Sequence, residues 1–177
     1  MHIRFRKQPG RKQSFLPGFR VRMPSVKHFV SKNEKDTRTV AKEILDEIMK
    51  DGKERSRALV VALSGNLGSG KTAFTKAAAR NLGIKSRITS PTFVIMKRHS
   101  FSAGKGSKEF KFFFHIDAYR LRNEKEILSL GWKEISDDKN NLIFIEWPEN
   151  IQKVLPRGAR RISVSADKTG ARHFKFK

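Results

Sequence analysis

The sequence predicts an α/β fold of three layers, with helices on both faces of a mixed, mostly parallel central sheet. Three observations predict it. Short apolar runs alternate with segments of helical periodicity, the pattern of strands joined by crossover helices. One run, Ala58–Leu63, feeds a glycine-rich turn and then a helix-forming stretch, Ala73–Arg80. Two more apolar runs each end in an acid, Phe112–Ile116 in Asp117 and Leu142–Ile145 in Glu146.

Taken in order, Val26–Val30 reads as a short entry strand. Ser31 and Glu34 have the spacing of a capping box, with Ser31 as N-cap. The helix that follows carries Val40, Ile44, Leu45, Ile48 and Met49 on one face and stops at Asp51-Gly52. Residues 58–64 form the next strand, and Phe74–Leu82 a helix stopped by Gly83. Thr89-Ser90-Pro91-Thr92-Phe93 reads as a turn into a strand over Phe93–Met96. A Ser-, Gly- and Lys-rich loop over 101–108 suggests a hairpin tip, hence an antiparallel pair within the sheet. A strand over Phe110–Ile116 follows, then a short helix from the cap Asn123 to Leu130, stopped by Gly131. The strand Asn141–Glu146 and two edge strands, Ile162–Val164 and His173–Phe176, complete the expected sheet. There is no internal repeat.

The turn at 65–72 reads Gly65-Asn66-Leu67-Gly68-Ser69-Gly70-Lys71-Thr72, a complete G-x-x-x-x-G-K-[ST] element between a strand and a helix. Glycines there let backbone N–H groups turn inward, and the helix start adds unpaired N–H groups and a partial positive charge. Such a cradle binds phosphate, and it narrows the fold to a P-loop NTPase-like sandwich. Lys71 would reach the β- and γ-phosphates, and the Thr72 hydroxyl would face Mg²⁺. A hard divalent ion also wants one or two carboxylates. Asp117 and Glu146 stand where open α/β sheets place their ligands, at strand ends. Either one holds the metal directly and the other through water, or one orients the attacking water. His115 and Trp147 read as packing residues near this site.

The chain has 177 residues, enough for one domain with a core, read as 25–177. No apolar stretch approaches bilayer length, so a membrane partner is not expected. There is no cysteine, which removes disulfides and thiolate metal sites and fits a reducing, cytoplasmic setting. Lys and Arg number 39 against 17 acids, a net charge of +22. That charge favours polyanionic partners, RNA or acidic protein surfaces, without choosing between them. Residues 1–24 hold Arg4, Arg6, Lys7, Arg11, Lys12, Arg20 and Arg22 and no acid, with Pro9 and Pro17 breaking any helix. They read as a disordered basic arm. Its composition suits RNA contact and is shared with organelle presequences, although the prolines spoil an amphipathic helix and no secretory apolar core is present.

Four motifs in order resemble the TsaE (YjeE) family: the glycine loop at 65–72, Ser90-Pro91-Thr92-Phe93, His115-Ile116-Asp117-Ala118-Tyr119-Arg120-Leu121, and Ile145-Glu146-Trp147-Pro148-Glu149. They span roughly 31–150. The resemblance implies a P-loop ATPase that binds ATP and Mg²⁺ and, as a monomer, serves TsaD-like and TsaB-like proteins. Those partners place threonylcarbamoyl on adenosine 37 of tRNAs reading ANN codons. It implies that Gly65, Asn66, Leu67, Gly68, Ser69, Gly70, Lys71 and Thr72 hold the nucleotide, with Thr37, Ser90 and Thr92. It implies metal roles for Thr72, Glu146 and Asp117, catalytic roles for Lys71, Asp117 and Glu146, and a γ-phosphate switch in Ser90 and Thr92. Asn66, Ser69, Ile116 and Ala118 depart from the usual family residues at positions where backbone or size matters more than chemistry.

Other classes explain less. A small-molecule or nucleoside kinase needs a lid, and only Arg120 and Arg122 offer themselves for it. A regulatory GTPase lacks its guanine-reading N-K-x-D. A purely RNA-binding protein leaves the phosphate loop and both strand-end acids without a purpose.

Overall fold

A computed structural model describes residues 26–50, 55–86, 88–101 and 109–177. The expected basic arm at 1–24, the helix stop at Asp51-Gly52 and most of the 101–108 tip lie outside the described residues. Seven strands form one sheet: β1 (Lys27–Ser31), β2 (Leu59–Ser64), β3 (Met96–Ser100), β4 (Phe112–Asp117), β5 (Asn141–Glu146), β6 (Arg160–Ala166) and β7 (Arg172–Phe176). Their spatial order is β1-β7-β6-β2-β5-β4-β3. β6, β2, β5 and β4 run parallel, while β3, β7 and β1 pair antiparallel with their neighbours. The expected mixed, mostly parallel α/β sheet is the observed one.

Helix α1 (Glu34–Met49) and helix α2 (Lys71–Asn81) pack on one face. Ile44, Ile48, Phe74, Ala78 and Leu82 meet Val61, Leu63, Phe113, Phe144 and Phe174 of the sheet. On the other face, α3 (Glu124–Ser129), α4 (Trp132–Asp137) and a 3-10 segment (Pro148–Val154) cover Val60, Phe114, Ile116, Ile143 and Ile145. Strands β2, β4 and β5 are therefore apolar on both sides. That is why they read as continuous hydrophobic runs, as strands buried on both faces do.

Four expectations need correction. The N-cap of α1 is Asn33, whose side chain accepts the Asp36 N–H at 2.9 Å, and Asp36 accepts the Lys32 N–H at 2.9 Å. Ser31 is turned inward instead, its hydroxyl 2.6 Å from that of Thr37. The third strand begins at Met96, because residues 92–94 turn and Ile95 takes φ 63°, which holds the chain off the sheet. β6 and β7 are interior strands; the edges are β1 and β3. Their alternating pattern has the look of an edge because one face is open. Gly131 stops α3 but also opens α4, which the sequence pattern left unseen. Smaller in scale, α2 starts at Lys71, three residues before the apolar periodicity begins.

Candidate functional site

The C-terminal ends of β2, β4 and β5 lie side by side, with Asp117 directly opposite Glu146 in the register. The turn leaving β2 passes in front of them. Gly65 takes φ +148°, and a Cβ there would sit 2.1 Å from the backbone oxygen of Val164, so only glycine fits. Gly70, at φ +106°, is the N-cap of α2 and supplies no side chain to block the loop. Leu67, Gly68, Gly70, Lys71, Thr72 and Ala73 form one wall of a cavity of about 300 Å³. Ser90, Thr92, Asp117, Tyr119, Glu146 and Trp147 form the opposite wall.

Lys71 sits at the first turn of α2 with its side chain folded along the loop. Its ammonium donates to the Gly65 carbonyl at 2.6 Å and the Asn66 carbonyl at 2.9 Å. Trp147 leaves β5 at φ 59°, which swings its indole under the ammonium, 3.9 Å from the ring centre. Burial pushes the Lys71 amine below its ordinary value, and the charges of Glu146, Glu149 and Asp117 oppose that shift.

Thr72 donates its hydroxyl to Glu146 Oε2 at 2.8 Å. The other oxygen, Oε1, lies 2.7 Å from His115 Nε2. His115 is fully buried and its Nδ1 has no partner among the described residues. A carboxylate only accepts, so His115 Nε2–H is the donor of this bond. His115 therefore orients Glu146 as well as packing. The reading of it as a packing residue alone was too narrow, and its place two residues before Asp117 on an inward-facing position was the available signal.

Asp117 accepts from the Thr92 hydroxyl, from Ser90 Oγ at 3.4 Å and from the Tyr119 N–H at 3.1 Å. The two hydroxyls also touch each other at 2.5 Å. The Ser-Pro-Thr-Phe turn is thus tied to a strand-end acid. Among the described residues no group of three or more His, Cys, Asp or Glu side chains can hold a metal by itself. A divalent ion here would need oxygens from a phosphate and water beside Thr72 and a carboxylate, which suits Mg²⁺.

Thr37 lies elsewhere. It is buried and lines a second cavity of about 390 Å³ with Glu34, Lys76, Arg80 and Arg172. Ala73 belongs to both cavities, so the first turn of α2 separates them. Arg80 pairs with Glu34 at 2.9 Å, and Arg172 reaches the Thr37 hydroxyl at 3.5 Å. Asn66 and Leu67 are exposed at the loop tip, and Ser69 is buried.

A family model described as threonylcarbamoyl adenosine biosynthesis protein TsaE matches residues 31–174. The chain belongs to the TsaE family. The resemblance read from four motifs is confirmed across most of the chain. The TsaE of Borreliella burgdorferi is 42% identical over 98 residues, 55% of this chain and 66% of that protein. The TsaE of Rickettsia felis is 35% identical over 124 residues, 70% of this chain and 63% of that protein. In both, the match spans less than two thirds of the relative's own length. Both relatives are named for tRNA threonylcarbamoyladenosine biosynthesis. The crystal structure of Bacillus subtilis YdiB superposes with a TM-score of 0.61 at 26% identity, over 86% of this chain and 84% of that one. Among the described residues of this TsaE-family chain, no helix is long and apolar enough to cross a membrane.

Proposed function

We propose that this chain binds ATP with Mg²⁺ in the paired cavities and hydrolyses it, as the accessory ATPase of tRNA threonylcarbamoylation. One observation carries the reading: Lys71, Thr72, Glu146 and Asp117 converge on a glycine loop at the ends of three parallel strands. The phosphates enter the first cavity. The Lys71 ammonium exchanges the Gly65 and Asn66 carbonyls for phosphate oxygens, and its desolvated charge acts strongly there. Thr72 and Glu146 would hold Mg²⁺, which would supply charge neutralisation to the phosphates. The base and ribose enter the second cavity, past Ala73, toward Thr37 and Arg172.

Asp117 and a γ-phosphate compete for the hydroxyls of Ser90 and Thr92. When the phosphate draws them away, an Asp117 oxygen is released to orient water. This makes the Ser-Pro-Thr-Phe turn a sensor of the terminal phosphate. Around the cavity mouth Leu67 and Phe93 are 79% and 84% exposed, with Val94 and Tyr119 beside them. An apolar rim of this kind suits a protein partner that closes over the nucleotide. We assign that place to a TsaD-like and TsaB-like transferase acting on adenosine 37 of ANN-reading tRNAs, in the cytoplasm.

Calorimetry with ATP and Mg²⁺ tests the reading. Heat of binding is expected for the natural chain and not for Lys71→Ala, whose melting temperature should stay close to that of the natural chain. Glu146→Ala and Asp117→Ala should retain nucleotide and lose phosphate release by about 100-fold or more. No heat from the natural chain, alone or with its partners, overturns the proposal.

A further inference from the structure

The sheet is covered unevenly. α1 and α2 lie along one face as far as β7, but α3, α4 and the 148–154 segment cover only β2, β5 and β4 on the other. Along β6, β7 and β1 that second face is open among the described residues. The register shows what it presents. Ser163 lies opposite Lys175, and Lys175 opposite His28. Ser165 lies opposite His173, and His173 opposite Val30. Arg161 and Lys177 continue the grid, the Arg161 carbonyl accepting the Lys177 N–H at 3.3 Å. Alternation sends their neighbours Ile162, Val164, Phe174 and Phe176 into the core.

The charges on this face are of one sign and unspent. Arg161, Lys175 and Lys177 are exposed, and none pairs with a carboxylate among the described residues. Cations elsewhere do pair: Lys27 with Glu47 at 2.9 Å, Arg57 with Asp137 at 3.3 Å. The acid nearest the face, Asp167 in the β6–β7 turn, is taken up by His173 at 2.9 Å and by the N–H groups of Thr169 and Ala171. His28 stacks on His173 with ring centres 5.3 Å apart. In sequence, the 26 residues before β1 hold seven cations and no acid.

We propose that the open β1–β7–β6 face is a docking platform for the phosphate backbone of a folded RNA. Side chains two apart along a strand are ~6.8 Å apart and adjacent strands ~4.8 Å, so the cations form a rigid grid. The serine hydroxyls between them are donors suited to phosphate oxygens. A protein interface would centre on aromatic and aliphatic anchors. A membrane-surface site would insert apolar side chains. The aliphatic residues this face offers are two valines at its outer margin, Val30 and, by alternation just before β1, Val26. Relatives in this family are named for tRNA threonylcarbamoyladenosine biosynthesis, which supplies an RNA of the right kind. The inference does not use the ATP reading, and each can fail while the other stands.

The test measures binding of an in vitro transcribed tRNA to the full chain across a salt series, without nucleotide. The variant Arg161→Gln/Lys175→Gln/Lys177→Gln is compared with Lys35→Gln/Arg38→Gln/Lys42→Gln, which removes the same charge from α1. The sheet-face variant should bind at least tenfold more weakly at one salt concentration. Its slope of log affinity against log salt should flatten by roughly 2 to 3, about one for each lost phosphate contact. The α1 variant should change far less. Equal losses in both, or no loss in the first, overturn the proposal. So does a sheet-face variant that keeps tRNA and loses only phosphatidylglycerol vesicles. In the natural chain, tRNA should protect Lys175 and Lys177 from acetylation; unprotected lysines there also overturn it.

Discussion

Strands β2, β5 and β4 are buried on both faces, whereas β6, β7 and β1 are buried on one. In the first group β4 and β5 end in the acids of the candidate site and β2 leads into its glycine loop; the second turns a basic, hydroxyl-bearing surface to solvent. The difference shows how one sheet separates two demands. Exact placement of Asp117, Glu146 and the 65–72 turn requires strands that cannot shift, and packing on both sides supplies that rigidity. A surface meant for solvent or a polyanion requires only one packed side. Even so, the halves are joined. Val164 of β6 stands against Gly65, and Arg172 of β7 lies beside Gly70, so the open half props the loop that the closed half uses.

The contrast can be broken most directly by truncation. Phe144 is fully buried between the sheet and α2, its ring 6.4 Å from Phe74 and 5.2 Å from Phe113. Phe144→Ala should cost about 3–5 kcal/mol in denaturant unfolding. Ser163→Ala on the open face should change stability by no more than about 0.5 kcal/mol. Comparable losses at the two positions would mean that the open face is covered.

A sharper comparison lies within the closed half. His115→Phe keeps an aromatic ring, somewhat larger, and removes the donor to Glu146; His115→Gln keeps a donor. Calorimetry of Mg²⁺ binding to the ADP-loaded chain should show about tenfold weaker metal affinity for His115→Phe, with partial recovery in His115→Gln. Affinity for ADP without metal should not change. Normal metal affinity in His115→Phe would reduce His115 to a packing residue.

The smallest expected effect belongs to the open half. Hydrogen bonds from Thr169 and then His173 hold the Asp167 carboxyl well below the ordinary carboxylate range. A carboxyl depressed in the folded state stabilises above its unfolded value near ~3.9 and loses that contribution as pH falls through its folded value. Asp167→Asn should therefore lower the melting temperature slightly at pH 7, and the gap should close as the pH drops below ~4. A gap that persists undiminished in acid would assign the effect to turn geometry rather than charge.

The legible parts of this molecule follow the same division. The runs at 59–63, 112–116 and 142–145 announce themselves because burial on both faces demands apolar residues at nearly every position, His115 being the exception. The loop at 65–72 is legible because so tight a strand-to-helix turn permits few residue types, with Gly65 and Gly70 both at positive φ. β6 and β7 were found but assigned to the edges, since Arg161, Ser163, Ser165 and Lys175 have the alternation of any half-exposed strand, wherever it sits. α4 has six residues, too few to display a period. The cap at Asn33 was missed because Ser31 and Glu34 carry the same chemistry two positions earlier.

The amino-acid sequence by itself determined the fold class, the glycine loop at 65–72 and the two strand-end acids, because each depends on local pattern: apolar runs, glycines and residue type at fixed spacing. Tertiary structure alone decided strand order, the bond from His115 to Glu146 and the tether of Ser90 and Thr92 to Asp117. It also decided the place of Thr37 in a separate cavity and the uncovered face of β1, β7 and β6. These depend on which segments far apart in the chain become neighbours, and side-chain pattern does not specify the partner a strand or a hydroxyl meets across the fold.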